Sequence, residues 1–124
     1  MRTPALFIIP ILITGCGQKG PSNISFREHV QPILNSRCVS CHGTVKPRGK
    51  VVLVSYEDFT KSRTFSGKEP LVVPGSPNES RLYILCATSQ TDFRMPADSA
   101  HLPPLPSAEL ELIRGWIKQG ASNN

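Results

Sequence analysis

The sequence predicts a mostly α-helical fold, a small domain of short helices joined by long loops. Apolar residues recur at helical spacing in several segments, whereas only the run from Lys50 to Val54 resembles a strand. Twelve prolines and nine glycines indicate many turns and connections. Only 39% of the 124 residues are hydrophobic, so the core is modest. Domains of this size often gain stability from a disulfide, a metal or a cofactor.

The first two helices are predicted from their N-terminal caps. Ser25 and Glu28 form a capping-box pattern at the start of an apolar stripe. Pro32 lies inside this stripe, so we expect the helix to kink or restart there. Ser55 is the expected cap of a second, brief helix that reaches Lys61.

Two more helices are predicted in the C-terminal half. Ser76 is the expected cap of one of them, with Pro77 at its first position and Glu79 completing a capping box. The last helix begins at Ser107, and Gly120 is a natural stop. Their inward-facing residues are expected to be Leu82, Leu85, Cys86, Leu110, Ile113 and Ile117, with Leu112 and Trp116 beside the last two.

The N-terminal residues predict a lipoprotein signal. After Arg2, an apolar run extends from Ala5 to Ile13; it is shorter than the roughly 20 residues that span a bilayer but fits a secretory signal. The following Thr14-Gly15-Cys16 completes a resemblance to the bacterial lipobox. By this resemblance, residues 1–15 are a signal peptide and Cys16 is lipidated, since several acyl chains are needed for stable anchoring.

The predicted organisation is therefore a lipid anchor, a tether and one domain. Residues 16–23 comprise the lipidated cysteine and a flexible tether, and residues 24–122 form the domain. We expect the protein in the bacterial cell envelope, facing the periplasm or the outside and attached to a lipid bilayer; Gly17 favours the outer membrane. The net charge of +5 is scattered along the chain, so no nucleic-acid partner is predicted.

The motif Cys38-Val39-Ser40-Cys41-His42 carries the most specific chemical signal. Cys-x-x-Cys-His is the attachment motif of c-type haem, in which two thiols add to the haem vinyl groups and the adjacent imidazole binds iron. Attachment requires an environment outside the cytoplasm, which the signal segment supplies. A zinc site that recruits Cys86 and a redox or structural disulfide are the alternatives, although histidine directly after the second cysteine is unusual for zinc.

The second axial ligand of a haem iron is expected from the loop before the last helix. Met95 is the only methionine left after signal cleavage, and Pro96 follows it in a proline-rich loop. Methionine and histidine together are the ligands that raise the potential in cytochromes c. His29 and His101 are the rival ligands, and His101 is the stronger of the two.

Several segments in order resemble the planctomycete-type cytochrome c domain, a relative of class I cytochromes c. The segments that carry this resemblance are Phe26, Val30 to Leu34, Cys38 to His42, Val72 to Tyr83, Met95-Pro96 and Trp116 to Ala121. The resemblance implies a small helical domain that wraps one covalent haem c, with His42 and Met95 as axial ligands. It also implies that the first and last helices pack together, with Phe26 close to Trp116.

These observations predict a monohaem electron carrier that is not an enzyme and that works with unidentified redox partner proteins. The alternatives are a peroxidase-like haem enzyme or a gas or redox sensor with an exchangeable distal ligand, and a subunit in which the haem mainly stabilises the fold. Cys86 is expected to be buried and inert, or else redox-active or dimer-forming. Arg48 and Arg94 are candidates for pairing with a haem propionate.

Overall fold

The computed structural model describes residues 22–124, and the predicted signal peptide and Cys16 lie outside this range. The described residues form four α-helices and no β-strand, which confirms the mostly helical fold. The helices are α1 (Gln31–Arg37), α2 (Tyr56–Lys61), α3 (Arg81–Ala87) and α4 (Ser107–Lys118), and a π-helical turn, Phe26–Val30, precedes α1. Within the described range, no helix is both long and apolar enough to cross a membrane.

Pro32 explains the π-helical turn. Proline has no backbone N–H, and its ring clashes with the carbonyl group four residues earlier in an α-helix. The chain widens by one residue before it, so that Gln31 N–H donates to the Phe26 carbonyl, and the α-helix then restarts with Pro32 in its first turn. The predicted restart is confirmed. The cap is confirmed in part: Ser25 accepts from Glu28 N–H, but His29 Nδ1 rather than the Glu28 carboxylate accepts from Ser25 N–H, at 3.0 Å.

The two ends of the described chain are hydrogen-bonded to each other. Asn124 accepts hydrogen bonds from the first two backbone N–H groups of the π-helical turn. Its Oδ1 accepts from Phe26 N–H at 2.9 Å, and its backbone carbonyl accepts from Arg27 N–H at 3.1 Å. The Gln119 side chain binds the backbone at the start of the described chain with two hydrogen bonds. Its Oε1 accepts from Ile24 N–H at 2.9 Å, and its Nε2 donates to the Ser22 carbonyl at 3.3 Å.

An aromatic cluster joins the π-helical turn to α2 and α4. The ring of Phe26 lies 5.3 Å from that of Trp116 and 5.0 Å from that of Tyr56, and Phe59 lies 5.7 Å from Trp116, all as distances between ring centroids. Trp116 is 1% exposed, and its indole Nε1 donates to the Ser122 carbonyl. The predicted contact of Phe26 with Trp116 is therefore confirmed, and α4 runs from Ser107 to Lys118 as expected.

Two buried serines replace the strand pairing that Lys50 to Val54 suggests. Val52 lies in extended chain, and its N–H and carbonyl groups both bond to the Ser62 hydroxyl, at 2.9 and 3.0 Å. The Ser80 hydroxyl likewise accepts from Val73 N–H at 2.9 Å, and its one hydrogen is shared between the Ser76 carbonyl at 2.8 Å and the Val73 carbonyl at 3.2 Å. Because these hydroxyls bind backbone groups that a neighbouring strand would otherwise bind, the strand-like run Lys50 to Val54 forms no strand.

Ser80 also shifts the start of the third helix. The Ser76 side chain makes no cap hydrogen bond; a 3-10 turn, Pro77–Glu79, forms instead, and Ser80 is extended (φ −87°, ψ 112°). The α-helix consequently begins at Arg81, later than predicted. Leu82 and Cys86 are buried within it, as expected.

Candidate functional site

The two motif cysteines follow directly from the first helix. Cys38 N–H bonds to the Leu34 carbonyl at 2.9 Å, and both Cys41 and His42 then donate back to the Cys38 carbonyl, at 3.1 and 2.8 Å. The motif is thus a compact turn that continues α1. Leu53 N–H donates to the His42 carbonyl at 2.9 Å, so the extended segment after the motif folds back against it.

An ion pair holds the end of α1 against α4. The Arg37 guanidinium binds the Glu109 carboxylate with two bonds, Nε to Oε2 at 3.1 Å and Nη2 to Oε1 at 3.0 Å. Such a two-bond pair fixes orientation as well as distance. Because Arg37 immediately precedes Cys38, the pair fixes the point from which the motif turn departs.

The loop that carries Met95 is attached to α3. Met95 N–H donates to the Leu85 carbonyl at 2.9 Å, and the Met95–Pro96 peptide bond is cis. The Arg94 guanidinium pairs with the Asp98 carboxylate farther along the loop. Met95 is half-buried and packs against the hydrophobic core.

All four predicted haem-site residues line one cavity of about 290 Å³ that is partly open to solvent. These residues are Cys38, Cys41, His42 and Met95. The volume is near the lower end of the roughly 300–1,000 Å³ typical of ligand pockets. Four parts of the chain form the lining, within residues 38–53, 64–71, 81–86 and 95–100, and most of the lining side chains are apolar.

The cavity's nucleophilic and metal-ligating groups have few partners of their own. The Nδ1 atom of His42 is buried and has no hydrogen-bond partner among the described residues. A buried polar atom of this kind is rare in folded proteins and indicates an unfilled chemical role. Cys38, Cys41 and Cys86 are all free thiols.

Burial keeps two of these thiols protonated. It raises the pKa of Cys38 to about 11, with the nearby Glu109 carboxylate adding to the rise, and it raises the pKa of Cys86 to about 12. Protonated thiols are weak nucleophiles, and Cys86 is therefore an inert thiol at neutral pH. Cys86 was predicted to be buried, and only the zinc alternative placed it beside the motif, where it lines this cavity.

The rival ligands lie elsewhere. His101 is exposed at the end of the 3-10 turn Asp98–Ala100 and does not line the cavity, and the Nδ1 atom of His29 is occupied by Ser25 N–H. The donors of the zinc alternative all line the cavity. However, no three Cys, His, Asp or Glu side chains in residues 22–124 are arranged to hold a metal ion together.

Sequence reasoning missed most of the cavity wall. Val51, Leu53 and Leu71 come from loops without a motif, and Arg81 lies one turn before Leu85. Of the two predicted propionate partners, Arg48 lines the cavity and Arg94 does not. No local signal distinguishes these arginines, because the folding of the loops decides which of them reaches the cavity.

The residues present fit a haem c. The cavity is apolar, as the porphyrin face requires, and it brings together an imidazole with an unpartnered nitrogen, a thioether and the two thiols of the attachment motif. These are the donor types that c-type haem uses.

Comparison with known proteins agrees with this chemistry. The family model described as Planctomycete cytochrome C matches residues 38–99, which is half of the chain and spans the motif turn, α2, α3 and the Met95 loop. No curated protein and no solved structure gives a significant match. The chain therefore belongs to the planctomycete cytochrome c family.

Proposed function

We propose that this c-type cytochrome is a monohaem electron carrier, anchored in the cell envelope through lipidated Cys16. The observation that supports the site is the convergence of Cys38, Cys41, His42 and Met95 on one apolar cavity, with His42 Nδ1 buried and unpartnered. A haem c bound there supplies the one-electron Fe(II)/Fe(III) couple.

In this proposal each side chain has a separate role. The thiols of Cys38 and Cys41 would hold the haem through its two vinyl groups, each vinyl gaining a carbon–sulfur bond and the thiol hydrogen. The His42 imidazole and the Met95 thioether would bind the iron, a combination that favours a high reduction potential. The apolar wall, including Leu53 and Leu82, excludes water and disfavours the additional positive charge of the ferric state.

Redox partners would dock at the mouth of the cavity. Phe65 lines the cavity yet is 94% exposed, so it offers an apolar contact at this mouth. Redox encounters use small, weak interfaces, of less than about 1,200 Å². A single exposed aromatic side chain beside the site suits a contact of this kind.

An enzymatic role has less support than electron transfer. Peroxidase-like chemistry requires an exchangeable ligand and an acid–base group on the distal side. Among the described residues that line the cavity, His42 is the only histidine, and none is Asp or Glu. His101, the candidate from the sequence, is exposed outside the cavity.

Optical spectra of the mature protein and of Met95→Ala test the ligands. We expect the ferric protein to show the far-red charge-transfer band of a methionine–iron bond, and the ferrous protein not to bind carbon monoxide. Met95→Ala should lose the band and bind carbon monoxide, whereas His101→Ala should behave as the wild type. Survival of the band in Met95→Ala, or high-spin wild-type iron, would refute the proposed carrier site.

Counting reactive thiols tests covalent attachment and the single haem. After denaturation, iodoacetamide should label one cysteine, Cys86, because Cys16, Cys38 and Cys41 carry thioether bonds. In the native protein Cys86 should resist labelling at pH 8, since a thiol of pKa about 12 is almost entirely protonated there. Peptide mass spectrometry locates the labels; labelled Cys38 and Cys41 would contradict covalent attachment.

A further inference from the structure

Two arginines interrupt an otherwise uncharged cavity wall, apart from its thiols and imidazole. Arg48 and Arg81 are the only Lys, Arg, Asp or Glu residues among the described residues that line the cavity. Both are exposed, so they lie where the apolar wall meets solvent. They come from different parts of the chain: Arg48 begins the 3-10 turn Arg48–Lys50, and Arg81 begins α3.

Among the described residues, no carboxylate forms an ion pair with either arginine. The four ion pairs among residues 22–124 are Arg37–Glu109, Lys61–Glu57, Arg94–Asp98 and Arg114–Glu111. The one side-chain bond of Arg48 is from Nη1 to the Ser99 hydroxyl at 3.3 Å. A guanidinium has five N–H donors, so both side chains retain donors for a ligand.

The group that fits this cavity has the complementary pattern. A haem is a largely apolar ring with two propionate carboxylates, and carboxylates are the preferred two-bond partners of a guanidinium. We propose that Arg48 and Arg81 bind the two haem propionates. This inference rests on the proposed haem site. It replaces Arg94, whose Nη2 pairs with Asp98 and whose Nε is buried without a partner in the described range, because Arg94 does not line the cavity.

The arrangement gives Arg48 a further role as a positioning residue. Its backbone N–H donates to the Cys41 carbonyl at 3.0 Å, and its side chain reaches Ser99, next to the cavity residue Ala100. Arg48 therefore connects the attachment motif to the loop that carries Met95. A propionate bound by the same guanidinium would therefore lie close to both the attachment motif and the loop that carries Met95.

Charge-removing variants of the haem-loaded protein test the inference. Arg48→Gln and Arg81→Gln each remove one cation, and Arg27→Gln is the matched control, because Arg27 is exposed and does not line the cavity. Resonance Raman spectra report the propionate bending mode directly, and the reduction potential measured against pH reports the pKa of the propionates.

We expect Arg48→Gln and Arg81→Gln each to shift the propionate band and to raise a propionate pKa by about one unit or more, since a close opposite charge lowers a carboxyl pKa by about 1–3 units. Arg27→Gln should change neither quantity. Arg48→Lys and Arg81→Lys should shift the band but keep the pKa close to that of the wild type, and they preserve the test if a glutamine variant fails to mature.

The alternatives give separate results. A band and a pKa that move no more in the cavity variants than in Arg27→Gln, with haem and axial ligands intact, would overturn this inference alone. Unchanged propionates together with a weaker salt dependence of electron exchange would assign the arginines to an acidic partner protein instead, and would also overturn it. A wild-type protein without haem c would overturn both this inference and the proposed function.

Discussion

Around Trp116, buried polar side-chain groups find hydrogen-bond partners within the described chain, whereas one buried ring nitrogen of His42 finds none. The indole Nε1 of Trp116 donates to the Ser122 carbonyl, and the Tyr56 hydroxyl donates to the Ala121 carbonyl at 2.8 Å. In contrast, the Nδ1 of His42 is buried without a partner in the described part of the chain. The region around Trp116 is completed by packing and hydrogen bonds within the protein. The region around His42 instead has metal-ligating side chains and an apolar wall that match a cofactor.

This difference shows that separate segments of the molecule stabilise the fold and line the candidate haem cavity. None of the described residues in 22–37 or 101–124 lines the cavity, although these segments include the π-helical turn, all of α1 and all of α4. The segments that form the cavity are mainly loops and short turns. Loops expose their backbone unless specific contacts hold them, and here buried serines and the Arg37–Glu109 pair supply such contacts.

The largest expected loss of stability is at Trp116, in the region that packing completes. Trp116→Ala should lower the free energy of unfolding by about 3–5 kcal/mol, because it empties the centre of the aromatic cluster and leaves the Ser122 carbonyl without its donor. Urea titration measures this loss, and the haem spectrum of the folded fraction should stay unchanged. The control Phe93→Ala removes an exposed aromatic ring and should cost little. A changed haem spectrum with unaltered stability would contradict the separation between the segments that stabilise the fold and those that line the cavity.

A smaller effect is expected on the cavity side, at Ser80. Ser80→Ala removes the hydroxyl that accepts from Val73 N–H and donates to a carbonyl of the same turn, and an unsatisfied buried group costs about 1–3 kcal/mol. The matched control is Ser89→Ala, at an exposed serine. Urea titration of the two variants compares them. Equal losses would show that the hydroxyl does not hold the turn before α3.

The smallest effect on stability is expected at Phe65. Because this side chain is 94% exposed, Phe65→Ala should change the free energy of unfolding by less than about 0.5 kcal/mol. Its loss should nevertheless slow electron self-exchange between ferric and ferrous copies several-fold, since the apolar contact at the cavity mouth is removed. NMR line broadening measures this rate. Phe93→Ala is the control; an equal slowing there would remove Phe65 from the docking surface.

The parts of the fold that depend on neighbouring residues were predictable from the sequence. The Ser55 cap, the restart at Pro32 and the bounds of α4 follow from local hydrogen-bonding chemistry. The strand-like run Lys50 to Val54 forms no strand because Ser62, ten residues after Val52, binds its backbone instead of a neighbouring strand. The start of α3 failed for a similar reason, since buried Ser80 bonds back to Val73.

In the candidate site, likewise, some residues could be predicted from the sequence and others could not. The cysteines, His42 and Met95 were identified because their chemistry restricts which residues can serve. The wall of the cavity, including Leu71 and Arg81, was not identified, because any apolar or basic residue on a suitably folded loop can fill those positions. Distinguishing Arg81 from Arg94 required knowing that Asp98 already pairs with Arg94.

The hold of Gln119 on Ser22 and Ile24 has a practical consequence for building electrodes with this protein. The chain enters the fold beside the C-terminal end of α4, and the segment from Ser22 to Arg37 contributes nothing to the cavity wall. The described segment nearest to an N-terminal attachment point is therefore separate from the wall residues, and we expect a film of molecules immobilised through the N-terminus to exchange current with a mediator in solution.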